Sequence, residues 1–396
     1  MLPPWGRWNI ACELPIGTCT HRWRPKSIYG HSFTVYQATM RGGLTVSARR
    51  VIPDAPLKVL LLMLGRGLLA LFLLASACPA WSASDSEDLP IRSRQISNFA
   101  VGSSATRFGA LEFLGGLEMT SSNPLFGAVS AIRFRPDGSS FVAVMDTGHW
   151  LEGAVTRDEQ GRLSGITNLT ATPMADRNGD VGLAKWKVDS EGLALREGQA
   201  IVSYEQAHRI DIYPDPGFAG SKPIGSLALP FPISELRSNA GIETIAVSPK
   251  DSPLAGAMIA IAERSVDKAD NLLAGILDGP QRGAFSVVRK DPYAATDGAF
   301  LPNGDLLLLE RRFSFGSGLG MQIRRVPGDK IKPGAVVDGE VLFEADMGYQ
   351  IDNMEGLDVV VRPDGEVRVI VVSDDNHSIL ERNLMLEFRL NTALTQ

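Results

Sequence analysis

From residue 107 onward, short apolar runs alternate with polar turn residues. The runs AIRF and FVAVMD flank Pro136-Asp-Gly138, GAFL and DLLLLE flank Pro302-Asn-Gly304, and a third such turn lies at Pro363-Asp-Gly365. Proline presets one turn dihedral and glycine adopts a positive φ without steric cost, so each tripeptide predicts a tight turn between two strands. No run shows the 3.6-residue periodicity of a long amphipathic helix. The pattern therefore predicts an all-β fold.

The small-residue strand starts recur at intervals of 52 to 61 residues, and each is followed 13 to 20 positions later by an acid. The starts are Ser130, Glu191, Glu243, Asp297 and Glu355, and the acids are Asp146, Glu205, Glu263, Glu310 and Asp374. Repeats of short strands at this interval are typical of propeller blades, because one four-stranded unit cannot bury both faces alone. We expect a six-bladed β-propeller with five recognisable repeats, although the length also fits five blades; an open sandwich is the alternative. The run NLMLEFRL (383–390) is expected to pair with ALEFL (110–114) and close the ring.

These acids are expected to converge, because the innermost strands of a propeller all begin at one face of the central channel. Glu191, Glu243, Asp297 and Glu355 would form a ring of carboxylates at that mouth. Like charges this close raise one another's pKa or attract cations. Hard oxygen donors suit Ca²⁺, with Mg²⁺ as the alternative, so we expect these four acids to bind the metal. Zinc and copper are not indicated, since residues 84–396 contain three histidines and no cysteine.

Candidate catalytic and substrate-binding groups lie among the same repeats. The catalytic candidates are Glu243, Glu310, Asp374 and His149, and the candidate anion-binding residues are Arg264, Arg311 and Arg312. Arginine binds phosphate or carboxylate oxygens in a planar fork, so a mouth with metal and arginine suits an anionic ester. The structural alternative, strand-end caps and Glu–Arg ladders between blades, explains these residues equally well. His149 could be a general base or an ordinary surface histidine, and no G-x-S-x-G elbow indicates a serine triad.

Charge divides the chain into a basic front and an acidic body. Residues 1–83 hold nine Lys/Arg and two Asp/Glu, whereas residues 84–396 hold 30 and 43. An acidic body repels phosphates, so no nucleic-acid partner is expected. The apolar run LLALFLLASA (68–77), which follows Arg66 and precedes CPAWSA, has the pattern of a secretory signal peptide. A membrane anchor is the alternative, but Arg66 makes spanning costly, and a lipid anchor at Cys78 lacks the usual preceding leucine.

These features give the expected organisation of the chain. We interpret residues 1–62 as a mis-assigned start or non-structural extension, 63–83 as a signal peptide, 84–106 as a linker and 107–390 as the propeller. All three cysteines precede residue 84, so disulfides are not expected to stabilise the body. We expect a periplasmic or secreted monomer, without stable membrane insertion after signal cleavage, that acts on a small anionic ester.

The ordered motifs of the body resemble a known family. The run ATDGAFLPNGDLLLLERRFSFGSGLGMQIRRV (295–326), with DTGHWLEG (146–153), DSEGLAL (189–195), NAGIETIAV (239–247) and DNMEGLDVVV…VSDDN (352–376), closely resembles the bacterial phytase-like proteins described as having esterase-like activity. The likeness covers roughly residues 107–390. It implies an exported β-propeller whose recurrent acids carry a phytase-like or phosphodiesterase-like activity. Those acids fall here on Glu191, Glu243, Glu310, Glu355 and Asp374.

The leading hypothesis is an exported, metal-dependent hydrolase of phosphoric esters. One alternative is a non-catalytic propeller that binds a ligand or protein over the same mouth, and another is a calcium-dependent lactonase-type hydrolase. Propellers host all of these roles, so the fold cannot decide among them. A metal-dependent hydrolase requires several carboxylate oxygens that can meet one cation. A binding module predicts acids paired individually with arginine and a broad, exposed apolar rim.

Overall fold

The computed structural model describes residues 86–314, 316 and 318–391, together with four short strands near the N-terminus. Those strands are Ser27–Ile28 paired with His31–Ser32, and Gln37–Thr39 paired with Thr45–Ser47. The signal peptide predicted at 63–83 and the three cysteines lie outside the described residues. Within the described part of the chain, no helix has the length and apolar character needed to span a membrane.

The described part of the body forms five antiparallel sheets, numbered here as blades 1 to 5, with strands given from the innermost outward. Blade 1 contains Val129–Phe134, Ser140–Met145, His149–Arg157, Leu163–Pro173 and Glu87–Asp88. Blade 2 contains Ser190–Arg196, Gln199–Tyr204, Arg209–Pro214 and Gly225–Leu227. Blade 3 contains Ile242–Val247, Met258–Val266, Leu272–Ile276, Gly283–Val287 and, pairing in parallel, Val336–Val337.

Blade 4 contains Ala294–Phe300, Leu306–Ser314, Gly318–Val326 and Glu340–Asp346. Blade 5 contains Asn353–Val361, Val367–Asp374, Asn383–Leu390, Leu111–Ser121 and Ile91–Ile96, with Arg107–Phe108 also pairing to its fourth strand. The helical segments are short: an α-turn at Lys185–Val188 and 3₁₀ turns at Ile233–Glu235 and Gly328–Lys330. The fold is all-β, as predicted.

The propeller has five blades, not the six expected. The innermost strands contact one another in cyclic order from blade 1 to blade 5 and back to blade 1, so the ring is closed. Asn383–Leu390 pairs with Leu111–Ser121, which confirms the predicted closure. This pairing makes the early strand the fourth strand of blade 5 and leaves no sixth blade among the described residues. Part of the segment 84–106, predicted as a linker, belongs to the propeller instead. Glu87–Asp88 forms the outermost strand of blade 1, and Ile91–Ile96 forms an outer strand of blade 5.

Apolar cores lie between neighbouring blades. In the run LLLL of blade 4, Leu306 and Leu308 pack with blade 3, while Leu307 and Leu309 pack with blade 5. Successive side chains of a strand point to opposite faces, and both faces of this strand are covered. The strand is therefore a continuous apolar run, whereas a strand with one exposed face would alternate apolar and polar residues. At the far end of the channel, Gly138, Gly304 and Gly365 adopt positive φ in the three turns predicted from sequence.

A β-bulge lies near the start of every innermost strand. The register to the second strand shifts beside Ser130, Glu191, Glu243, Thr296 and Glu355. In blade 4 the bulged residue is Thr296, so the sequence alignment that placed Asp297 at this position was wrong by one residue. The second strand is offset in the same way: Arg311 pairs with Ala294 as Asp374 pairs with Asn353. Such a one-residue shift moves a side chain to the opposite face of the sheet.

Candidate functional site

The bulges and the ends of the second strands bring eight carboxylates together at one end of the channel. We call this group the acidic mouth, and it consists of Asp146, Asp189, Glu191, Glu205, Glu243, Glu263, Glu355 and Asp374. The cations that contact it in the described structure are Lys185, Arg264 and Arg311. Negative charge therefore exceeds positive charge at this mouth.

Two sets of three acids within the mouth have oxygen atoms within 4.8 Å of one another. One set is Glu205, Glu243 and Glu263, all buried, from blades 2 and 3. The other is Asp189, Glu191 and Glu205, all from blade 2. Glu205 belongs to both sets. This spacing is compatible with several oxygens meeting one hard cation.

The electrostatics of these acids reflect burial and mutual repulsion. Burial is the largest cause that raises the pKa of Glu243 well above its ordinary value, followed by the charges of Glu191 and Glu263. Burial likewise raises the pKa of Glu191 well above its ordinary value, with Asp189 as the next cause. The pKa of Glu205 rises to about 7, mainly through burial, although the hydrogen bond that Glu205 accepts from the Gly241 N–H lowers this pKa.

Arg311 is the cation that blade 4 contributes where the other blades place an acid. Its Nε lies 2.8 Å from Glu355 Oε1, and its guanidinium lies 3.8 Å from Glu263 Oε1. Arg311 therefore bridges blades 5 and 3 across blade 4. Arg264, whose side chain is 47% exposed, lies 3.7 Å from the same Glu263 oxygen. Of these two side chains, Arg264 is the more exposed, because that of Arg311 is 22% exposed.

Lys185 partly neutralises the blade 1 and blade 2 side of the mouth. Its Nζ lies 2.7 Å from both Asp146 Oδ2 and Asp189 Oδ1. Asp189 also accepts a hydrogen bond from Gln206, so both of its oxygens are occupied. Asp189 and Lys185 were not among the predicted site residues. The signal that could have revealed Asp189 is its spacing, two residues before Glu191 and directly before the innermost strand of blade 2.

Asp297 lies in the channel but outside the acidic mouth. It is fully buried and forms two 2.7 Å contacts with Arg133, while the N–H groups of Leu357 and Gly298 donate to it. Arg133 also donates to carbonyl oxygens of blades 1, 3, 4 and 5. This ion pair is therefore buried among the innermost strands of four blades. The one-residue shift in blade 4 explains why Asp297 is separated from the predicted ring.

Glu310 also leaves the predicted site because of that shift. Its carboxylate accepts hydrogen bonds from Arg324 at 2.6 and 2.9 Å and from Gln322 at 2.6 Å, and both Glu310 and Arg324 are buried. Arg312 lies on the opposite face of its strand from Arg311, where its Nε donates to Tyr293 at 3.1 Å. The structure thus places Glu310 and Arg312 in interactions away from the acidic mouth.

Of the two remaining catalytic candidates, Asp374 interacts with acids of the mouth, whereas the charge that acts on His149 lies at the outer edge of blade 1. His149 Nδ1 lies 3.1 Å from Thr147 Oγ1, and burial lowers its pKa. The charged residue that opposes this shift is Glu87, on the outermost strand of blade 1. Asp374 is buried in the mouth, and its pKa rises to about 8, through burial first and then through Glu355 and Asp146.

The acidic mouth fits a hard divalent cation. Glu243 is 8% exposed, and no described residue forms a hydrogen bond or ion pair with its carboxylate, although the charge of Arg311 opposes the rise in its pKa. A buried carboxylate in such surroundings is stabilised by either a proton or a cation. Glu205 and Glu263 supply the neighbouring oxygens.

Comparison with known proteins bears on this geometry. A family model, Phytase-like (esterase-like activity of phytase), matches residues 124–377. The chain belongs to the phytase-like family. The matched region contains every residue of the acidic mouth of this phytase-like propeller. A search of curated proteins found no match.

Solved structures similar to this phytase-like chain include propellers. One is the Cps50 (Swd1) β-propeller domain of Myceliophteria thermophila, at 10% identity and a TM-score of 0.30, with 64% of this chain and 67% of that chain covered. Another is the Dos1 propeller, at 7% identity and a TM-score of 0.32, with 71% and 75% covered. At such values neither similarity carries a functional inference.

Proposed function

We propose that this protein is an exported hydrolase of phosphoric esters that depends on Ca²⁺, or alternatively Mg²⁺, in the acidic mouth. The observation that carries the proposal is Glu243, a buried carboxylate that lies beside Glu205 and Glu263 and forms no hydrogen bond or ion pair with a described residue, the charge of Arg311 offsetting only part of the repulsion on it. Membership of the phytase-like family supports hydrolysis as the reaction class. The proposed ligands are Glu205, Glu243 and Glu263, with Glu191 next to them.

This ligand set modifies the one expected from sequence. Glu243 and Glu191 remain in it, whereas Asp297 is committed to Arg133. Glu355 Oε1 already contacts Arg311 and accepts a hydrogen bond from Asn353, so we assign Glu355 to positioning Arg311. Glu205 and Glu263 replace Asp297 and Glu355 in the proposed ligand set.

The remaining residues receive roles according to position. A divalent cation in this site would polarise a phosphoryl oxygen and lower the pKa of a water. Arg264, half exposed at the edge, would hold an anionic oxygen of the substrate. Asp374, with a pKa near 8, is suited to accept or donate a proton close to neutral pH. Arg311, which contacts Glu355 and lies 3.8 Å from Glu263, would hold these two carboxylates in position.

The test is hydrolysis of p-nitrophenyl phosphate and bis-p-nitrophenyl phosphate with CaCl₂, MgCl₂ or EDTA. We expect turnover that EDTA removes and added metal restores, and a loss of at least about 100-fold in Glu243→Gln. Glu197→Gln, at a carboxylate 91% exposed beyond the channel's other end, is the matched control and should retain activity. Turnover that is unaffected by EDTA and by Glu243→Gln would refute the proposal.

A second candidate is a non-catalytic binding propeller. The exposed apolar side chains of Trp186, Ile379 and Leu380 favour it, because a binding surface of this kind needs an apolar rim. The close grouping of Glu243 with Glu205 and Glu263 favours the hydrolase instead. Calcium-dependent turnover distinguishes the two.

A further inference from the structure

The segment that connects blade 2 to blade 3 joins the three proposed metal ligands to one another. Gly241, the last residue of this connection, donates its N–H to Glu205 Oε1 at 3.0 Å. Its carbonyl oxygen accepts the backbone N–H of Glu263 at 2.8 Å. Glu243 follows two residues later, on the innermost strand of blade 3. One buried glycine is therefore bonded to two of the ligands and adjoins the third.

Gly241 leaves no space for a side chain. A Cβ atom at this position would lie 2.8 Å from both Cε1 and Nδ1 of His208 and 3.2 Å from Cγ of Glu205. Non-bonded heavy atoms reach their optimal separation at about 3.5–4.0 Å, so these contacts would be repulsive. The backbone of Gly241 does not adopt the positive φ that favours glycine. The close approach of His208 and Glu205 is therefore the feature that requires glycine here.

His208 holds the same connection from the side of blade 2. It lies three residues after Glu205, in the turn that leads to the third strand of that blade. Its Nε2 lies 3.1 Å from the carbonyl oxygen of Arg237, and because a carbonyl oxygen only accepts, Nε2 is the donor. The same oxygen accepts the Ala240 N–H at 3.3 Å, which closes a four-residue turn directly before Gly241. The turn that carries Glu205 is thus hydrogen-bonded to the turn that precedes Gly241.

Ser265 holds this turn from the side of blade 3. Its Oγ accepts the Arg237 N–H at 2.8 Å and donates to the Ala240 carbonyl oxygen at 2.6 Å. Ser265 is fully buried and lies two residues after Glu263 on the second strand of blade 3. Both ends of the turn are therefore bonded to the strand that carries Glu263, while His208 bonds the turn to blade 2.

Resting on the proposed function, we infer that His208 and Gly241 are positioning residues of the metal site, which fix Glu205 of blade 2 relative to the two ligands of blade 3. Neighbouring carboxylates repel one another before a cation binds. A bonded connection between the two blades opposes this repulsion and keeps the oxygen atoms close enough to meet one cation. Residues that orient metal ligands in this way typically change metal affinity by 10- to 100-fold when they are substituted.

The test compares the calcium affinity of the full chain in the wild type, His208→Ala, His208→Gln and Gly241→Ala, measured by calorimetric titration with CaCl₂. We expect His208→Ala and Gly241→Ala to bind calcium at least about tenfold more weakly than the wild type. His208→Gln should stay within about threefold of the wild type, because the glutamine amide can donate to the Arg237 carbonyl oxygen in place of the imidazole. This rescue separates the hydrogen bond from a general effect of altering the side chain.

Gly225→Ala is the matched control for Gly241→Ala, because a Cβ atom at Gly225, on the outermost strand of blade 2, would lie 3.7 Å from Ile212 and meet ordinary contact. Circular dichroism establishes that each variant is folded, and the two His208 variants decide the matter if Gly241→Ala does not fold. Calcium affinity equal to the wild type in His208→Ala, the same loss in both His208 variants, or an equal loss in Gly225→Ala would overturn the inference and leave the metal site intact. Absence of calcium binding in the wild type would refute the metal site and the inference with it.

Discussion

Two acids on the innermost strands of neighbouring blades show how partners decide the role of a buried carboxylate. Asp297 is fully buried and receives two contacts from Arg133 and two backbone N–H groups. Glu243 is almost as buried, yet no described residue forms a hydrogen bond or ion pair with it, and only the charge of Arg311 opposes the rise in its pKa. A paired buried charge holds structure in place, and an unpaired one favours a proton or a metal. The first therefore contributes to the fold and the second to the proposed site.

Asp297→Asn is expected to destabilise the fold strongly. The substitution removes the carboxylate that contacts the buried Arg133 guanidinium, and although the charge of Asp358 still acts on Arg133, breaking a buried ion pair costs about 3–5 kcal/mol of unfolding free energy. Urea unfolding measures the loss. The comparison is Glu197→Gln, which removes the exposed ion pair between Glu197 and Lys250, 3.5 Å apart, and should cost less than about 1 kcal/mol. A similar, small loss in both variants would show that the Arg133–Asp297 pair does not stabilise the channel.

Asp374 is expected to make stability depend on pH. In the folded state its pKa is about 8, above the ordinary carboxyl value, so the folded protein keeps a proton that the unfolded chain releases. Stability therefore falls as pH rises between these two values. In EDTA, Asp374→Asn should gain about 2 kcal/mol or more relative to wild type between about pH 5 and about pH 8.5. Parallel stability curves for the two proteins would contradict this assignment, and Asp364→Asn, at an exposed turn, is the control.

At the scale of elements, the β-bulges determine which residues reach the mouth. Each bulge adds one residue or two near the start of an innermost strand and redirects the side chain that follows. In blade 4 the bulge falls on Thr296, and the second-strand position is Arg311. A cation thus lies between Glu263 and Glu355, where an acid would have increased repulsion.

The sequence predicted the repeats, the turns and the closing strand because each has a local signal. Apolar runs, Pro-x-Gly turns and recurrent acids are visible in the residues themselves. The position of a bulge is not, because it depends on pairing with the neighbouring strand. The motif TDGAF therefore looked equivalent to MEGLD, and Asp297 and Glu310 entered the predicted site. The number of blades also escaped prediction, since the role of Leu111–Ser121 depends on which sheet it joins.

The closing strand is expected to carry much of the stability of the ring. Phe388 is fully buried and its ring lies 5.0 Å from that of Phe99 and 5.4 Å from that of Phe113. Phe388→Ala should lower the unfolding free energy by about 3–5 kcal/mol, because it removes a large side chain from a close-packed core. Ile224→Ala, at an exposed position, should change it by less than about 0.5 kcal/mol. A loss below about 1 kcal/mol in Phe388→Ala would show that blade 5 closes without this contact.

At the scale of the whole molecule, ring closure brings together acids that lie far apart in sequence. Glu205 and Glu263 come from different blades, and Asp374 comes from the last one. The blade cores and the Arg133–Asp297 pair hold these positions, while the mouth retains an excess of carboxylates. The fold thereby concentrates negative charge at one end of its axis, where a divalent cation would relieve the repulsion.

The central claim, a divalent cation held by Glu205, Glu243 and Glu263, is tested most directly by calorimetric titration of the full chain with CaCl₂. We expect saturable binding in the wild type and in Glu197→Gln, and at least tenfold weaker binding, about 1.4 kcal/mol or more, in Glu243→Gln/Glu263→Gln. Circular dichroism of each sample establishes that the variants are folded. Absence of binding in the wild type, or equal affinity in the double variant, would contradict the metal site and leave the acids a structural role.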